Sequence, residues 1–247
     1  MHSILIAAVL AGCAPKTDVD DLKAKVTALE EKVASMEKGG VKAAPGAAAG
    51  APAADPAQDE AATKLLTEAQ EARKAGDFAT AKAKIAELTS KYADTRAGKA
   101  AVRIGAEINV VGTDAKPLVV EKWFTKKKAS YDDAKTTVLV FWELWCPHCK
   151  REVPKIPEMV SKWKGKGVQV VGLTKLTKSS TEEGVMEFIK ENKLEGVPMG
   201  KEQGSEMSDA FAVTGIPAAA VVQGGKVVWR GHPAQLTDDV LGKLTGS

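Results

Sequence analysis

The sequence predicts an α/β domain in the C-terminal half of the chain, preceded by helical segments and a flexible linker. All five tryptophans lie at or beyond Trp123, so the large side chains that build a core are concentrated in this half. A run of β-branched and aromatic residues at 136–142 is long enough for a strand that is buried on both faces. Helical spacing follows this run, and a second apolar run at 168–174 completes a β-α-β order.

The charge balance excludes one class of partner. The 247 residues carry 35 Lys and Arg against 32 Asp and Glu, which gives a formal net charge of +3. A chain so evenly balanced lacks the basic character of nucleic-acid-binding proteins, so we expect no nucleic acid among its partners.

The N-terminus carries an export signal. Residues 4–10 form an apolar run that is too short to span a bilayer, and Leu10-Ala11-Gly12-Cys13 follows it with small residues where a processing peptidase needs them. This pattern resembles the bacterial lipobox, which implies a signal peptide at 1–12 and a diacylated Cys13 that anchors the chain to a membrane. Ala14 supplies no inner-membrane retention aspartate, which favours the outer membrane. An ordinary secretory leader is the alternative, and both interpretations place the protein in the bacterial envelope, facing the periplasm.

Residues 13–38 are predicted to form a coiled-coil stalk. Apolar residues recur at alternating spacings of three and four, as at the a and d positions of a heptad. They are Val19, Leu22, Val26, Leu29, Val33 and Met36. Valine at a and leucine at d favour two strands, so we expect a parallel homodimer through residues 19–36. A single solvated amphipathic helix is the alternative.

A linker and a helical module connect the stalk to the α/β domain. Residues 39–58 are almost wholly Ala, Pro and Gly, which is typical of a flexible tether. Residues 59–108 return to helical spacing with a break at Gly76-Asp77, which predicts a helical hairpin with a third helix from Ala97 to Ile104. This segment resembles one tetratricopeptide unit and leaves two roles open, a spacer or docking module and a peptide receptor.

Short runs and turn residues predict the remaining elements of the domain at 109–247. Helices are expected at 181–192, at 205–211 and near the C-terminus. The runs at 218–223 and 226–230 are separated by Gly224-Gly225, the turn chemistry of a β-hairpin.

The motif Cys146-Pro147-His148-Cys149 carries the chemistry. Two cysteines at i and i+3 can close a small disulfide ring, and both stand where a helix begins. The helix N-terminus stabilises a thiolate at Cys146, which makes this residue the attacking nucleophile, and His148 would stabilise it further. Cys149, one turn along the helix, would then resolve a mixed disulfide. No dissociable cofactor is needed, because the redox-active group is the Cys146–Cys149 disulfide.

Longer segments around the motif carry a family resemblance. Val-Phe-Trp-x-x-Trp-Cys-x-x-Cys-Lys at 140–150 resembles the thioredoxin superfamily. The segments 149–154, 168–173 and 214–217 are similar to those of the TlpA/ResA-type envelope group. The resemblance covers about residues 110–247 and implies a thioredoxin fold, a central mixed sheet with flanking helices. It also implies a thiol-disulfide oxidoreductase that acts on extracytoplasmic proteins with thiols or disulfides and is served by a membrane electron donor or acceptor.

The resemblance assigns further residues to the site. It makes Pro217 the cis-proline that faces the cysteines and Ile216 the residue whose backbone pairs with a bound peptide. It makes Glu152 the acid beside the active site. Trp145 is expected to pack beside the motif or to flank the substrate.

Two departures from the family pattern bear on mechanism. The dipeptide Pro147-His148 is that of DsbA-type oxidases, so the direction of electron flow, reduction or oxidation, stays open. Val140 occupies the position of the buried aspartate of thioredoxins, so proton transfer from Cys149 must fall to Glu152, Glu143 or water.

Other interpretations of the motif are weaker. A zinc site needs four ligands, but outside the motif the histidines are only His2 and His232, so no metal is expected. A structural disulfide between such close neighbours contributes little by loop closure. The alternative from another class of function is a redox-inert envelope assembly protein that docks through the coiled coil and the helical module.

Overall fold

The computed structural model describes residues 55–246 of the chain, and its central element is a six-stranded sheet. The strands are β1 (Val120–Trp123), β2 (Thr136–Trp142), β3 (Val168–Thr174), β4 (Met199–Glu202), β5 (Ala218–Gln223) and β6 (Lys226–Gly231). They lie in the order β1-β4-β3-β2-β5-β6. Strand β3 runs parallel to β2 and β4, whereas the other neighbours are antiparallel. The predicted mixed sheet is therefore confirmed.

The helices precede the sheet or flank it. They are α1 (Pro56–Lys74), α2 (Phe78–Lys91), α3 (Arg96–Asn109), α4 (Pro147–Glu152), α5 (Ile156–Trp163), α6 (Glu182–Glu191), α7 (Glu206–Ala210) and α8 (Asp238–Thr245). A short 3-10 turn, Val153–Lys155, separates α4 from α5, because Pro154 and Pro157 lack the N–H groups of a continuous helix. No helix within residues 55–246 is both long and apolar enough to cross a lipid bilayer.

Strand β2 lies at the centre of the sheet and positions the cysteine motif. All seven of its residues are buried, because β3 and β5 cover both edges and helices cover both faces. Trp142 packs against Phe188 with ring centroids 5.2 Å apart, and Phe141 packs against Phe211 at 5.7 Å. The chain leaves β2 at Trp142 and reaches Cys146 four residues later.

The predicted hairpin of β5 and β6 is present, and it pairs with the edge of β2 that faces away from β3. Gly224 has φ +53° and Gly225 has φ +74°, so both central residues of the turn adopt the left-handed conformation. Two positive φ angles suit the two-residue hairpin turns whose twist matches that of the strands. Strand β5 thereby pairs with both β2 and β6.

Helices α1, α2 and α3 pack against one another and form a layer. The break between α1 and α2 falls at Gly76, with φ +80°, and Asp77 caps α2 by accepting a hydrogen bond from the Thr80 N–H. Helix α1 begins at Pro56, three residues before the predicted boundary, because Asp55 caps it and proline suits the first turn. Helix α3 runs past the predicted Ile104 to Asn109.

The segment after α3 fastens this layer to the sheet. The Gly112 N–H donates to the Val227 carbonyl at 2.7 Å, and the Ala115 N–H donates to the Gly225 carbonyl at 2.7 Å. Lys82 on α2 donates to the Val111 carbonyl at 2.7 Å. Within residues 55–246, the helices and the sheet lie in one compact unit. The segment after α3 in this way covers part of the outer edge of β6.

Several predictions concern parts of the chain that lie outside the described residues. They are the signal peptide at 1–12, the lipidated Cys13, the coiled coil at 13–38 with its dimer seam at 19–36, and most of the linker at 39–58.

Candidate active site

The cysteine motif stands at the N-terminus of α4. Cys146 is the N-cap residue, and its Sγ accepts a hydrogen bond from the Cys149 N–H at 3.4 Å. Its own N–H donates to the Glu143 carbonyl at 3.1 Å, which closes the turn between β2 and α4. An N-cap sulfur faces the unpaired N–H groups of the first helical turn. The structure therefore places Cys146 at the start of a helix, and its role as the nucleophile stays a prediction.

The two cysteines differ in their access to solvent. Cys146 is 4% exposed and Cys149 is fully buried, while Pro147 and His148 between them are exposed. Burial raises the pKa of the Cys149 thiol far above its ordinary value, and the neighbouring Cys146 and the charge of Glu143 raise it further. A hydrogen bond with the Glu143 backbone acts in the opposite direction. Cys146 is therefore the thiol that can meet a substrate, and Cys149 needs help to lose its proton.

The cis-proline loop, residues 214–217, lies against Cys146. The Ile216–Pro217 peptide bond is cis. The Cys146 thiol donates to the Ile216 carbonyl at 3.6 Å, so the two segments that the resemblance joined meet in the structure. A polypeptide that pairs with the Ile216 backbone would reach Cys146.

Glu143, one of the acids that the sequence offers for proton transfer, is buried beside the motif, and its burial is what the sequence alone does not reveal. It is 7% exposed, and its Oε2 accepts hydrogen bonds from Trp145 Nε1 at 2.7 Å and from the Thr177 hydroxyl. Trp145 Nε1 also lies 3.0 Å from Thr177 Oγ1. A carboxylate with two donors on one oxygen is held in a fixed orientation.

Trp145 lies beside the motif, half-buried with 36% exposed. The Lys178 ammonium lies 3.0 Å from the centroid of its ring, a cation-π contact. Trp145 lines a cavity of about 410 Å³, here called the cysteine pocket. The pocket is lined by Glu143, Trp145, Cys146, Pro147, His148, Lys175, Val213, Thr214, Gly215 and Ile216. The arrangement leaves Trp145 able to flank a substrate.

His148 is exposed and pairs with the neighbouring turn. The Arg151 guanidinium lies within hydrogen-bond distance of His148 Nδ1. A guanidinium can only donate, so in this arrangement the imidazole accepts at Nδ1 and carries its proton on Nε2. His148 Nε2 then remains as the imidazole's hydrogen-bond donor.

Glu152 is the last residue of α4. Both of its carboxylate oxygens accept hydrogen bonds from Lys155 Nζ, at 3.0 and 2.9 Å. Glu152 and Val140 line the same cavity of about 240 Å³, so the acid does stand near the position of the missing aspartate.

His232 also lies near the motif, although it follows β6 in the sequence. Burial lowers the pKa of His232 below its ordinary value, and the charge of Glu152 opposes the shift. Its Nδ1 accepts a hydrogen bond from the Ala234 N–H at 3.1 Å. No local pattern around His232-Pro233 indicates this placement, which depends on the pairing of β5 with β6.

This region of the chain is similar in sequence to known proteins. Residues 111–230 match the model of the AhpC/TSA family. The chain is 31% identical over 150 residues to the thiol-disulfide oxidoreductase ResA of Bacillus cereus, covering 60% of this chain and 80% of that protein. It is 28% identical over 127 residues to the thiol:disulfide interchange protein HelX of Rhodobacter capsulatus, covering 51% and 67%. A domain of a "possible thiol-disulfide isomerase" from Cytophaga hutchinsonii has a TM-score of 0.46 and 26% identity, covering 55% and 93%.

Proposed function

The chain belongs to the thioredoxin-like AhpC/TSA family, to its ResA-type thiol-disulfide oxidoreductases, and we propose that it exchanges disulfides with extracytoplasmic proteins through Cys146 and Cys149. The observation that carries this proposal is the contact of Cys146 Sγ with the Ile216 carbonyl. It places a nucleophile at a helix N-terminus directly beside a backbone edge that can hold a peptide. A redox-inert docking protein has no need of this juxtaposition.

The first step joins the substrate to the enzyme. The Cys146 thiolate attacks one sulfur of a substrate disulfide, forming a mixed disulfide and releasing the other substrate sulfur as a thiolate. The N-terminal turn of α4 stabilises the attacking thiolate, and His148 can donate to it. The Ile216 backbone and Trp145 hold the substrate chain on either side of the bond that forms.

The second step releases the substrate. Cys149 loses its proton, and its thiolate attacks Cys146 Sγ, so that the second substrate sulfur leaves as a thiolate and takes up a proton. The substrate gains two electrons and the enzyme holds the Cys146–Cys149 disulfide. Run backward, the same steps oxidise a substrate dithiol, and the reduction potential of the couple sets the direction. A membrane electron donor or acceptor returns the enzyme to its starting state.

Glu143 is the proton acceptor for Cys149 in this proposal. Its charge acts on the Cys149 thiol, and it is nearly as buried as the cysteine itself. Glu152, the acid that the resemblance assigned, is paired with Lys155 and stays the second candidate. Glu143 precedes α4 and Glu152 is its last residue, and the two acids line different cavities, so separate substitutions distinguish them.

The proposed location is the cell envelope, with the chain held by a lipid on Cys13 and facing the periplasm. The outer membrane is the preferred site because Ala14 supplies no retention aspartate. The support is the sequence Leu10-Ala11-Gly12-Cys13. We expect labelled palmitate to enter the wild-type protein in a bacterial host and Cys13→Ala to take up none. Equal labelling of the two proteins would contradict the anchor.

Substituting the cysteines one at a time tests the exchange itself. Cys146→Ser should abolish reduction of a protein disulfide such as that of insulin, because it removes the nucleophile. Cys149→Ser should attack but not resolve, so a mixed disulfide through Cys146 should accumulate on a non-reducing gel. Full activity of Cys146→Ser, or full function of that variant in the cell, would favour the docking protein instead.

Substituting the two acids tests the proton acceptor. Glu143→Gln should slow release of the substrate from the mixed disulfide by about 10²-fold at pH 7, the usual contribution of a general base. The rate should recover as the pH rises, because hydroxide then takes the Cys149 proton. Stopped-flow measurement of single turnovers from pH 6 to 10 would show this.

Glu152→Gln is the matched control for that measurement, since it makes the same change in charge at the last residue of α4. It should leave the release rate within about threefold of wild type, as expected if the ion pair of Glu152 with Lys155 takes no part in the reaction. A loss confined to Glu152→Gln would assign proton transfer to Glu152 and contradict the role of Glu143.

A further inference from the structure

A second cavity lies on the far side of the cis-proline loop, between that loop and the helical module. It has a volume of about 230 Å³ and is here called the arginine groove. Helix α1 contributes Arg73, helix α3 contributes Arg103 and Glu107, and the loop contributes residues 214–217. The end of β6 and the residue after it close the groove.

Hydrogen bonds hold the helices against the loop. Arg73 Nη1 lies 3.2 Å from Glu107 Oε2, and the Thr214 hydroxyl donates to Glu107 Oε1 at 2.8 Å. The side chains of Arg73 and Glu107 are 15% and 18% exposed, so this ion pair is well shielded from solvent. The helical module therefore forms a fixed wall beside the segment that faces the cysteines.

The groove carries an excess of positive charge. It is lined by three arginines, Arg73, Arg103 and Arg230, against the single carboxylate of Glu107. Burial lowers the pKa of Arg230 to about 10, which still leaves its guanidinium charged at neutral pH. Arg230 donates to backbone carbonyls, among them that of Phe211 at 2.8 Å, so its charge is not neutralised by an acid in contact.

Two of these arginines have hydrogen-bonding capacity to spare. Arg103 is exposed and forms no ion pair within residues 55–246. Arg73 Nε is buried and has no hydrogen-bond partner among the residues that the structure describes. A guanidinium presents several donors in one plane, which suits a carboxylate.

The arginine groove adjoins the cysteine pocket. Thr214, Gly215 and Ile216 line both cavities, so this part of the cis-proline loop forms a ridge between them. A polypeptide that crosses Ile216 to present a sulfur to Cys146 must extend over this ridge. Its neighbouring residues on one side then lie at the arginine groove.

We propose that the arginine groove binds an aspartate or glutamate side chain of the substrate polypeptide, a few residues from the cysteine that reacts with Cys146. Arg103 is the principal contact, and Arg73 and Arg230 supply the positive field. The inference rests on the proposed thiol-disulfide exchange and deepens it, because it assigns the helical module to the substrate site. The module is then neither a spacer nor a separate receptor.

Two short peptides test the proposal. Each peptide contains one cysteine, which forms a mixed disulfide with the uncharged thiol 2-mercaptoethanol. One peptide has glutamate, and the other glutamine, at the second to fourth residues before and after that cysteine; the two are otherwise identical. In a single turnover, the reduced full-length chain should reduce the disulfide of the glutamate peptide with a second-order rate constant roughly tenfold higher than that for the glutamine peptide, as expected for one charge-assisted hydrogen bond. The preference should fall as the salt concentration rises.

Charge reversal on α3 identifies the residue responsible. Arg103→Glu should abolish or invert the preference, because it replaces the exposed guanidinium with a carboxylate that repels the glutamate peptide. Arg103→Gln should abolish the preference without inverting it. Arg96→Glu is the matched control, because this substitution makes the same change in charge. Arg96 is exposed on the same helix but does not line the groove.

Each outcome decides the proposal. Retention of the preference by Arg96→Glu and its loss in both Arg103 variants supports the groove. Equal reduction of the two peptides by the wild-type chain overturns the groove while leaving thiol-disulfide exchange intact. Equal loss in Arg96→Glu shows a general effect of charge and overturns it as well. Failure to reduce either peptide overturns the proposed function and this inference with it.

Discussion

The pairing of β2 with β5 is the constraint on which the site depends. The strands are antiparallel with Phe141 opposite Ala218, so the residues that follow β2 and those that precede β5 emerge at the same end of the sheet. Cys146 and Ile216 are 70 residues apart in sequence, and this register alone brings Sγ and the carbonyl to 3.6 Å. Because β2 is buried along its whole length, a shift by one residue would turn every side chain to the other face. The hydrophobic core therefore fixes the geometry of the chemistry.

Residues near in sequence were predictable, whereas those brought together by the fold were not. The runs at 136–142 and 168–174 and the Gly224-Gly225 turn carry enough local information to predict the central strands and the hairpin. Strands β1 and β4 escaped prediction because each has four residues and lies toward one edge of the sheet. The cysteine motif was evident from its spacing. The burial of Glu143 was not, because it depends on Thr177, 34 residues away.

The environments of the two acids separate their chemistry. Glu143 is oriented by an indole N–H and a hydroxyl, neutral donors that fix a carboxylate without adding a positive charge. Glu152 is oriented by the Lys155 ammonium, which donates to both of its carboxylate oxygens. The position of the helical module also depends on the fold. Glu107 bonds both to Arg73 and to Thr214, and so holds the α1–α3 layer against the cis-proline loop. Neither relation can be derived from spacing along the chain.

We propose that Cys146 and Cys149 form a redox couple that cycles, and the equilibrium reduction potential of this couple tests the proposal most directly. The chain would be equilibrated with glutathione buffers of defined ratio, and the fraction of disulfide would be measured after acid quenching and thiol labelling. We predict a potential between about −120 and −270 mV, the range of catalytic couples, with the upper end assigning an oxidant and the lower end a reductant. A potential below about −300 mV would make the disulfide structural and contradict the account.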